Sequence, residues 1–160
     1  MSVSRKVLEA LKELGVTLSA RPDFPIPMLP RDLTELDDEG LMDLFVQFTQ
    51  WNDHLSGARA IAVINEREAE RILDGVQAQA MLANWAGSKG DRVAVAKASI
   101  AADSKVVELK EDLDTKYAFR KLIETRAEDV ERNSQVVSRE LTRRTSDGGG
   151  LRARARRFTT

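Results

Sequence analysis

Apolar side chains recur at steps of three and four residues over the stretch Leu41–Ala83. No proline interrupts this stretch, and such heptad-like spacing keeps one stripe of a long helix against a partner helix. Five carboxylates crowd the preceding residues 32–39, where they satisfy N–H groups and oppose the positive end of a helix dipole. The pattern therefore predicts a long helix that begins within residues 31–40 and ends near Ala86.

A second apolar stripe, Val106–Leu141, follows a glycine-containing turn and a short helical segment, Arg92–Ala102. Lys116 and Arg120 interrupt the middle of this stripe, and the helix that carries it is predicted to end near Thr145. Two helices of similar length that are joined by a short connection are expected to fold back antiparallel. We therefore predict an all-α fold built on a coiled-coil-like, antiparallel hairpin of two long helices.

Further apolar residues lie outside the two stripes, so that a hairpin of two helices cannot bury all of them. A widened apolar face of this kind indicates a second interface. We therefore predict that the chain forms a homo-oligomer through the remaining apolar face. The predicted interface residues are Phe45, Ile61, Ile64, Leu73, Leu122 and Val136.

The first 30 residues add two smaller elements to the hairpin. A short amphipathic helix is predicted over Ser4–Leu14 and stops at Gly15, whereas residues 21–30 hold all four prolines and form an extended strap. The helix either docks on its own bundle or reaches a neighbouring subunit. The strap either packs along helices or between subunits, or it binds an SH3-type partner. The chain thus divides into residues 1–30, a hairpin over residues 31–145 and a tail.

The tail, residues 146–160, is predicted to be a flexible basic segment that contains the glycine run 148–150. From residue 143 onward the chain holds six arginines and one acid, Asp147. Arginines on a mobile arm can neutralise several phosphates, with an affinity that falls as the salt concentration rises. Three interpretations stay open: the tail binds nucleic acid, it docks on the acidic start of a neighbouring long helix, or it has no role.

Composition removes several classes of chemistry. The chain of 160 residues fits one domain, and its formal net charge is only −1 although 32% of its residues are charged. The absence of cysteine rules out disulfides and thiolate catalysis, removes most zinc sites and fits a reducing compartment. The one histidine, His54, is interpreted as a helix-flank residue, and carboxylate pairs such as Glu66 and Glu70 as solvated charge. We predict a soluble, intracellular, non-enzymatic protein without cofactor, metal or membrane span.

Four segments follow one another in an order that resembles one protein family. They are an aromatic-Asn-x-His segment, a long Ala/Glu-rich helix, an aromatic-small-Gly break and a Ser/Ala-Asp-x-x-Val entry to the last helix. The residues that carry them are Trp51, Asn52, His54, Glu66, Ala69, Ile72, Trp85, Ala86, Gly87, Lys89, Gly90, Asp91, Ala102, Asp103 and Val106. Over residues 41–141 the chain resembles the UvsY-type recombination mediators of tailed phages.

The resemblance implies a small helical protein that forms ring-like oligomers, binds single-stranded DNA and helps to load a RecA-like recombinase onto strands coated by single-strand-binding protein. It also implies a place in the cytoplasm of an infected host cell. The family's basic DNA-binding residues lie just before the aromatic-small-Gly break, where this chain has Gln79 and Met81. The residues that we instead expect to bind nucleic acid are Lys89, Arg92, Arg143, Arg144, Arg152, Arg154, Arg156 and Arg157.

A second class of function stays open beside this one. A virion assembly or structural protein, such as a neck component or a scaffold, would use the N-terminal helix and the strap to grip its neighbours. Its basic tail would then touch packaged DNA or an acidic partner, and the protein would reside in the virion. The two hypotheses differ in their DNA preference, because only a mediator should prefer single strands to duplex DNA.

Overall fold

The computed structural model describes the backbone of residues 2–84 and 91–157 and the side chains of residues 2–83 and 94–146. This part of the chain forms four α-helices and one 3-10 turn, and it contains no strand, which confirms the all-α prediction. The elements are α1 (Val3–Glu13), the 3-10 turn (Leu33–Glu35), α2 (Asp38–Asn84), α3 (Asp91–Ala101) and α4 (Ser104–Arg157). Among the described residues, no helix combines the length and apolarity that crossing a bilayer requires.

Local hydrogen bonds explain where the helices begin and stop. Ser2 caps α1 by accepting from the Arg5 N–H at 3.4 Å, and Gly15 follows the helix with a φ of 74°. This left-handed conformation costs glycine nothing, because glycine has no Cβ to clash. At the start of α2 the Asp37 carboxylate accepts from the Gly40 N–H at 2.7 Å. The predicted stop at Gly15 and the acidic start of the first long helix are both confirmed.

Helix α4 is longer than predicted, since it ends at Arg157 rather than near Thr145. The glycines of the run 148–150 each cost roughly 1 kcal/mol relative to alanine in a helix interior. Elongation of an existing helix needs no new nucleus, however, and the arginines and alanines of residues 151–157 are strong helix formers. The predicted boundary at residue 145 is therefore wrong for the secondary structure, because the glycine run does not end α4.

The chain divides into two compact units, and each long helix contributes a segment to both. The first unit, here called the α1 unit, consists of Met1–Thr17 and Ala58–Glu124. The second, here called the strap unit, consists of Leu18–Gly57 and Thr125–Thr160. Each unit therefore contains its own piece of the packing between α2 and α4.

The core of the strap unit is an apolar cluster that α2 and α4 share. Its buried residues are Leu41, Leu44, Phe48, Trp51, Leu55, Ala127, Val130 and Val137. Phe24, Ile26 and Leu29 of the proline-rich strap pack against this cluster. Within the strap unit the stripe predicted for the first long helix is thus its buried face, whereas farther along the same stripe Ile72 is 46% exposed. The prediction that the strap packs along helices is confirmed.

The core of the α1 unit is smaller and includes the short helix α3. Leu73 of α2, Ile100 of α3 and Val106 of α4 form its buried cluster. Ala62 and Ala69, which are 2% and 1% exposed, lie on the same stripe of α2. Small side chains at these positions let a neighbouring element approach the α2 backbone closely.

The two long helices run in opposite directions within each unit. In the α1 unit Arg59 pairs with Glu124 and Glu66 pairs with Arg120, so the contacts advance along α2 as they retreat along α4. In the strap unit the first turn of α2 pairs with Arg144, far along α4. The antiparallel packing of α2 on α4 is therefore as predicted, whereas self-association stays a prediction.

Helix α1 is held to α2 at its first residue. Both oxygens of the Glu68 carboxylate accept from the Val3 N–H, at 3.0 and 3.1 Å. This contact satisfies an N–H group at a helix start and opposes the positive end of the helix dipole. The apolar residues Val7 and Leu8 nevertheless remain 38% and 37% exposed. Helix α1 thus docks on its own unit, which was the first of the two interpretations, and leaves part of its apolar face open.

Candidate nucleic-acid interface

The eight predicted nucleic-acid residues fall into three groups. Lys89 lies outside the described residues. Arg92 lies in α3 and the four arginines of residues 152–157 lie in the last turns of α4, but their side chains are outside the described part of the structure. Arg143 and Arg144 are described in full, and both contact residues of the strap unit.

Arg144 ties α4 to the segment that leads into α2. Its Nη2 donates to the Leu33 carbonyl at 2.9 Å, and its Nη1 donates to the Leu36 carbonyl at 2.7 Å and to Asp38 Oδ1 at 3.0 Å. Its Nε donates to Glu140 Oε1 at 2.9 Å. The hydrogen bonds to Glu140 and Asp38 raise the pKa of Arg144. Because four hydrogen bonds hold this guanidinium, we assign Arg144 to the frame of the strap unit rather than to phosphate contacts.

Glu140 is the anion on which both neighbouring arginines converge. Arg143 donates to its two carboxylate oxygens at 2.7 and 2.8 Å, and Arg144 donates to one of them. The hydrogen bonds from Arg143 and then Arg144 lower the pKa of Glu140 from 4.5 to about 2. The Arg143 side chain stays 55% exposed, whereas that of Arg144 is 19% exposed. Of these two arginines, Arg143 is therefore the one that a phosphate can reach.

The lowered pKa of Glu140 predicts a pH-dependent contribution to stability. A carboxylate whose pKa falls on folding stabilises the fold above its unfolded pKa of 4.5, and this contribution is lost as the pH drops towards about 2. We expect Glu140→Gln to melt at a lower temperature than the wild type at pH 7, and the gap to close between pH 4.5 and 2. Thermal unfolding followed by circular dichroism measures this gap. A gap that is the same at both ends of this pH range would contradict the assignment.

The polar interruption of the second stripe is an ion-pair network inside the α1 unit. Arg120 donates to Glu66 from both Nε and Nη2 and to Glu124 Oε2 at 3.1 Å, and Arg59 donates to Glu124 Oε1 at 2.5 Å. The hydrogen bond to Glu66 raises the pKa of Arg120, whereas hydrogen bonding from Lys121 is the main cause that lowers the pKa of Glu124. The network fixes the register of α2 on α4. The interpretation of Glu66 as solvated charge was therefore wrong.

The predicted oligomer-interface residues differ widely in exposure. Leu73 is 7% exposed and packs with Ile100 and Val106 in the core of its own unit. Its assignment to an interface between copies is wrong, because the hairpin pattern did not include the contacts that α3 makes. Leu122 is 71% exposed and stays a candidate. The half-buried members of the set are Phe45, Ile61, Ile64 and Val136.

The side chain of His54 contacts both the Ser19 carbonyl and the Trp51 ring. Its Nδ1 lies 3.0 Å from the Ser19 carbonyl, a contact that requires the proton on Nδ1 because a carbonyl can only accept. Its ring meets Trp51 edge-on, with 5.8 Å between the ring centroids. His54 therefore links α2 to the segment before the strap. Within the described residues, no three His, Cys, Asp or Glu side chains are grouped so that they could hold a metal ion.

The basic end of α4, defined here as residues 151–157, holds four arginines and no acid. Six residues of α-helix span about 9 Å, so the backbone positions of these four arginines lie within two turns of α4. A guanidinium offers paired donors that match a phosphate, and such contacts position a nucleic acid without reading its bases. The basic end is therefore the candidate site for a phosphate backbone, with contacts that would not depend on base sequence.

In comparisons with known proteins, no family model, no curated protein and no solved structure matches the chain. The residues and their geometry alone therefore carry the assignment of function.

Proposed function

We propose that the protein is a phage-type recombination mediator, an accessory protein that binds single-stranded DNA as a homo-oligomer and helps to load a recombinase. The observation that carries this proposal is the continuation of α4 to Arg157, which places four arginines at the end of one long helix. Residues 148–157 contain no acid that could neutralise them. The end of such a helix is positively charged and is therefore suited to binding a polyanion.

The distribution of charge directs DNA to the basic end. The whole chain has a net charge of −1 although the basic end holds four arginines, so the remaining residues are acidic in sum. Acidic surface repels a nucleic acid and a basic site attracts it, which steers encounters towards that site. Arg143 and Arg144 contribute less positive charge to the proposed DNA site than their sequence positions predict, because Glu140 and Asp38 already pair with them.

In the proposed mechanism each chain contributes a few weak phosphate contacts. Arginine neutralises the phosphates and releases their counterions, which gives affinity without base specificity. An oligomer multiplies these contacts by effective concentration, so that one strand is held by several chains. The helical frame then presents the strand to a RecA-like recombinase in the presence of single-strand-binding protein. Both of these proteins are proposed partners.

A non-enzymatic virion assembly or structural protein is the second candidate. One specific observation favours it, namely the apolar surface that the α1 unit leaves open. Phe119 and Leu122 on α4 are 57% and 71% exposed, and Val7 and Leu8 on α1 are more than a third exposed. Exposed apolar side chains that are neighbours on one helix, as Phe119 and Leu122 are, commonly belong to protein interfaces. A structural component would use them to bind its neighbours and would show no preference for single strands.

Salt-dependent binding to single-stranded DNA tests the proposal. For each basic end that binds the strand, four arginines neutralise phosphates, so the logarithm of the binding constant should fall by about 3 for each tenfold rise in salt. Fluorescence anisotropy of a labelled oligothymidine measures this slope, and an unlabelled duplex competitor measures the preference for single strands. We expect a higher affinity for single strands than for duplex DNA, since a flexible strand can bring its phosphates to several basic ends. Equal affinity for duplex and single strand would favour the structural candidate instead.

A further inference from the structure

The strap lies on the strap unit without polar anchors of its own. Within the described residues, positions 20–31 form no hydrogen bond and no ion pair. The four prolines of the strap have no backbone N–H to donate. Apolar contacts of Phe24, Ile26 and Leu29 with the buried cluster therefore hold the strap in its place.

The two ends of the strap are fixed with different strength. Arg144 fixes the segment after the strap, because it donates to two backbone carbonyls there, at 2.7 and 2.9 Å, and also pairs with two carboxylates. Before the strap, Leu18 is 39% exposed and lies next to Gly57, where an added Cβ would meet it at 3.5 Å. One exposed hydrogen bond, from His54 Nδ1 to the Ser19 carbonyl, completes this end. The end at Ser19 is therefore the weaker one.

The strap also leaves space beneath its weaker end. A cavity of about 350 Å³ is lined by residues 19–23 on one side and by Gln50 and Asp53 of α2 on the other. Positions 12–21, which lead into the strap, are all exposed. This end can therefore move away from α2 without breaking buried contacts, which is typical of segments that open locally.

Trp51 lies beside this weaker end and carries an unsatisfied donor. His54 meets the Trp51 ring edge-on while its Nδ1 donates to Ser19. Trp51 is 6% exposed, and its Nε1 has no acceptor among the described residues. A buried donor without an acceptor raises the free energy of the closed form. Any opening that admits water to Trp51 recovers this cost.

We propose that the strap is a flap that opens from its Ser19 end and hinges at Arg31 and Asp32, while α2 and α4 stay packed. Opening breaks one hydrogen bond and the apolar contacts of the strap, whereas the buried residues that α2 and α4 share keep their contacts with each other. The flap thus controls access to the apolar cluster of the strap unit. This inference goes beyond the proposed function, because it requires neither nucleic acid nor a second copy of the chain.

Thiol labelling tests whether the strap opens by itself. The chain has no cysteine, so a single introduced thiol reports one position. Ile26→Cys reports the underside of the strap, Val137→Cys, at a position that is 0% exposed on α4, reports opening of the core, and Met28→Cys, at a position that is 89% exposed, reports the unhindered rate. The rate of reaction with iodoacetamide, a neutral reagent, is divided by that of the same variant unfolded in urea, which removes differences in thiol reactivity.

The flap predicts an intermediate rate for the underside of the strap. We expect Ile26→Cys to react about tenfold more slowly than Met28→Cys and about a hundredfold faster than Val137→Cys. Its rate should change little with urea below the unfolding transition, because local opening exposes little surface. A rate and a urea dependence equal to those of Val137→Cys would mean that the strap opens only when the unit unfolds. A rate equal to that of Met28→Cys would mean that the strap does not close, and either result would overturn the proposal.

Removal of the contact at the weaker end tests where opening begins. His54→Ala should raise the labelling rate of Ile26→Cys about tenfold and leave that of Val137→Cys unchanged. Asp53→Ala is the matched control, because Asp53 is exposed and lines the same cavity but forms no hydrogen bond or ion pair with described residues. Leu29→Cys, which also reports the underside of the strap, takes the place of Ile26→Cys if that variant does not fold. An effect of His54→Ala no larger than that of Asp53→Ala would overturn the proposal.

Discussion

Phe48→Ala is expected to lower the free energy of unfolding of the strap unit by about 3–5 kcal/mol. Phe48 is 0% exposed and lies in the buried cluster between Leu44 and Trp51 on α2. Alanine would forfeit the transfer free energy of the ring and leave a cavity, because the surrounding side chains can collapse only in part. The strap residues Phe24 and Ile26 rest on the same cluster, so their docking would loosen as well.

Urea unfolding measures this effect if the signal comes from the strap unit alone. The chain has two tryptophans, so a Trp85→Phe background leaves Trp51, which is 6% exposed, as the reporter. Met42→Ala is the matched control, because Met42 is 50% exposed and its loss should change stability by less than about 0.5 kcal/mol. Both variants are compared at one protein concentration, since self-association would add its own stabilisation. A Phe48→Ala effect no larger than that of the control would contradict the described core.

Ala69→Leu is expected to destabilise the α1 unit by about 1–3 kcal/mol. Ala69 is 1% exposed, and it lies between Glu66 and Leu73, which both contact residues of α4. A leucine at this position would have to push the two helices apart or adopt a strained rotamer. It would also pull Glu66 away from Arg120, so the ion-pair network and the apolar cluster would weaken together.

The control for this substitution separates packing from helix propensity. Ala78→Leu makes the same exchange at an exposed position of α2, and alanine and leucine have similar propensities. Urea unfolding followed by circular dichroism should therefore show little change for Ala78→Leu and a lower midpoint for Ala69→Leu. Equal midpoints would mean that α2 and α4 are not closely packed at Ala69.

The sequence predicted α2 and α3 well because their ends coincide with strong local signals. Helix α2 runs Asp38–Asn84, and its sequence has an acidic start and two glycines, at positions 87 and 90, after its end. Helix α3 runs Asp91–Ala101, within one residue of the predicted bounds at each end. The buried stripe of α2 in the strap unit was also predictable, since three- and four-residue spacing on a long helix leaves one choice of face. Sequence periodicity and end signals therefore suffice to predict a helix where one spacing of apolar residues dominates the segment.

The end of α4 was not predictable from the same rules. Glycines 148–150 signal a break, yet elongation of a long helix can absorb their cost. The pairing of Arg120 with Glu66 could have been found, because antiparallel packing sets the interruption of one stripe opposite that part of the other. The pattern alone did not indicate it, because Glu66 lies beside the apolar stripe of α2, a position that also fits a solvated carboxylate.

The sequence alone locates the basic residues of the candidate site but not the contacts that each of them makes, and their binding of nucleic acid stays a prediction. The four arginines of residues 151–157, with no acid among them, identify the basic end of α4 in the sequence. The sequence could not distinguish Arg144, whose guanidinium binds two backbone carbonyls and two carboxylates, from an arginine with an exposed head group. The reason is that those carbonyls, at Leu33 and Leu36, come close only when the segment before α2 packs beside α4.

Matched removal of charge is the measurement that tests the proposed function most directly. In one variant Arg152, Arg154, Arg156 and Arg157 are replaced by glutamine, and in a second they are replaced by lysine. A third variant replaces four exposed arginines elsewhere by glutamine, namely Arg67, Arg71, Arg126 and Arg139. All three carry the same number of substitutions, and the first and third lose the same charge.

The affinity for labelled oligothymidine is then measured across a salt series. The proposed function predicts that glutamine at the basic end flattens the salt slope by about 3 for each chain bound to the strand and weakens binding at least tenfold at low salt, whereas the lysine variant keeps most of its affinity. The third variant should stay within threefold of the wild type. Equal losses from the first and third variants, or no loss from the first, would contradict the assignment of single-strand binding to the end of α4.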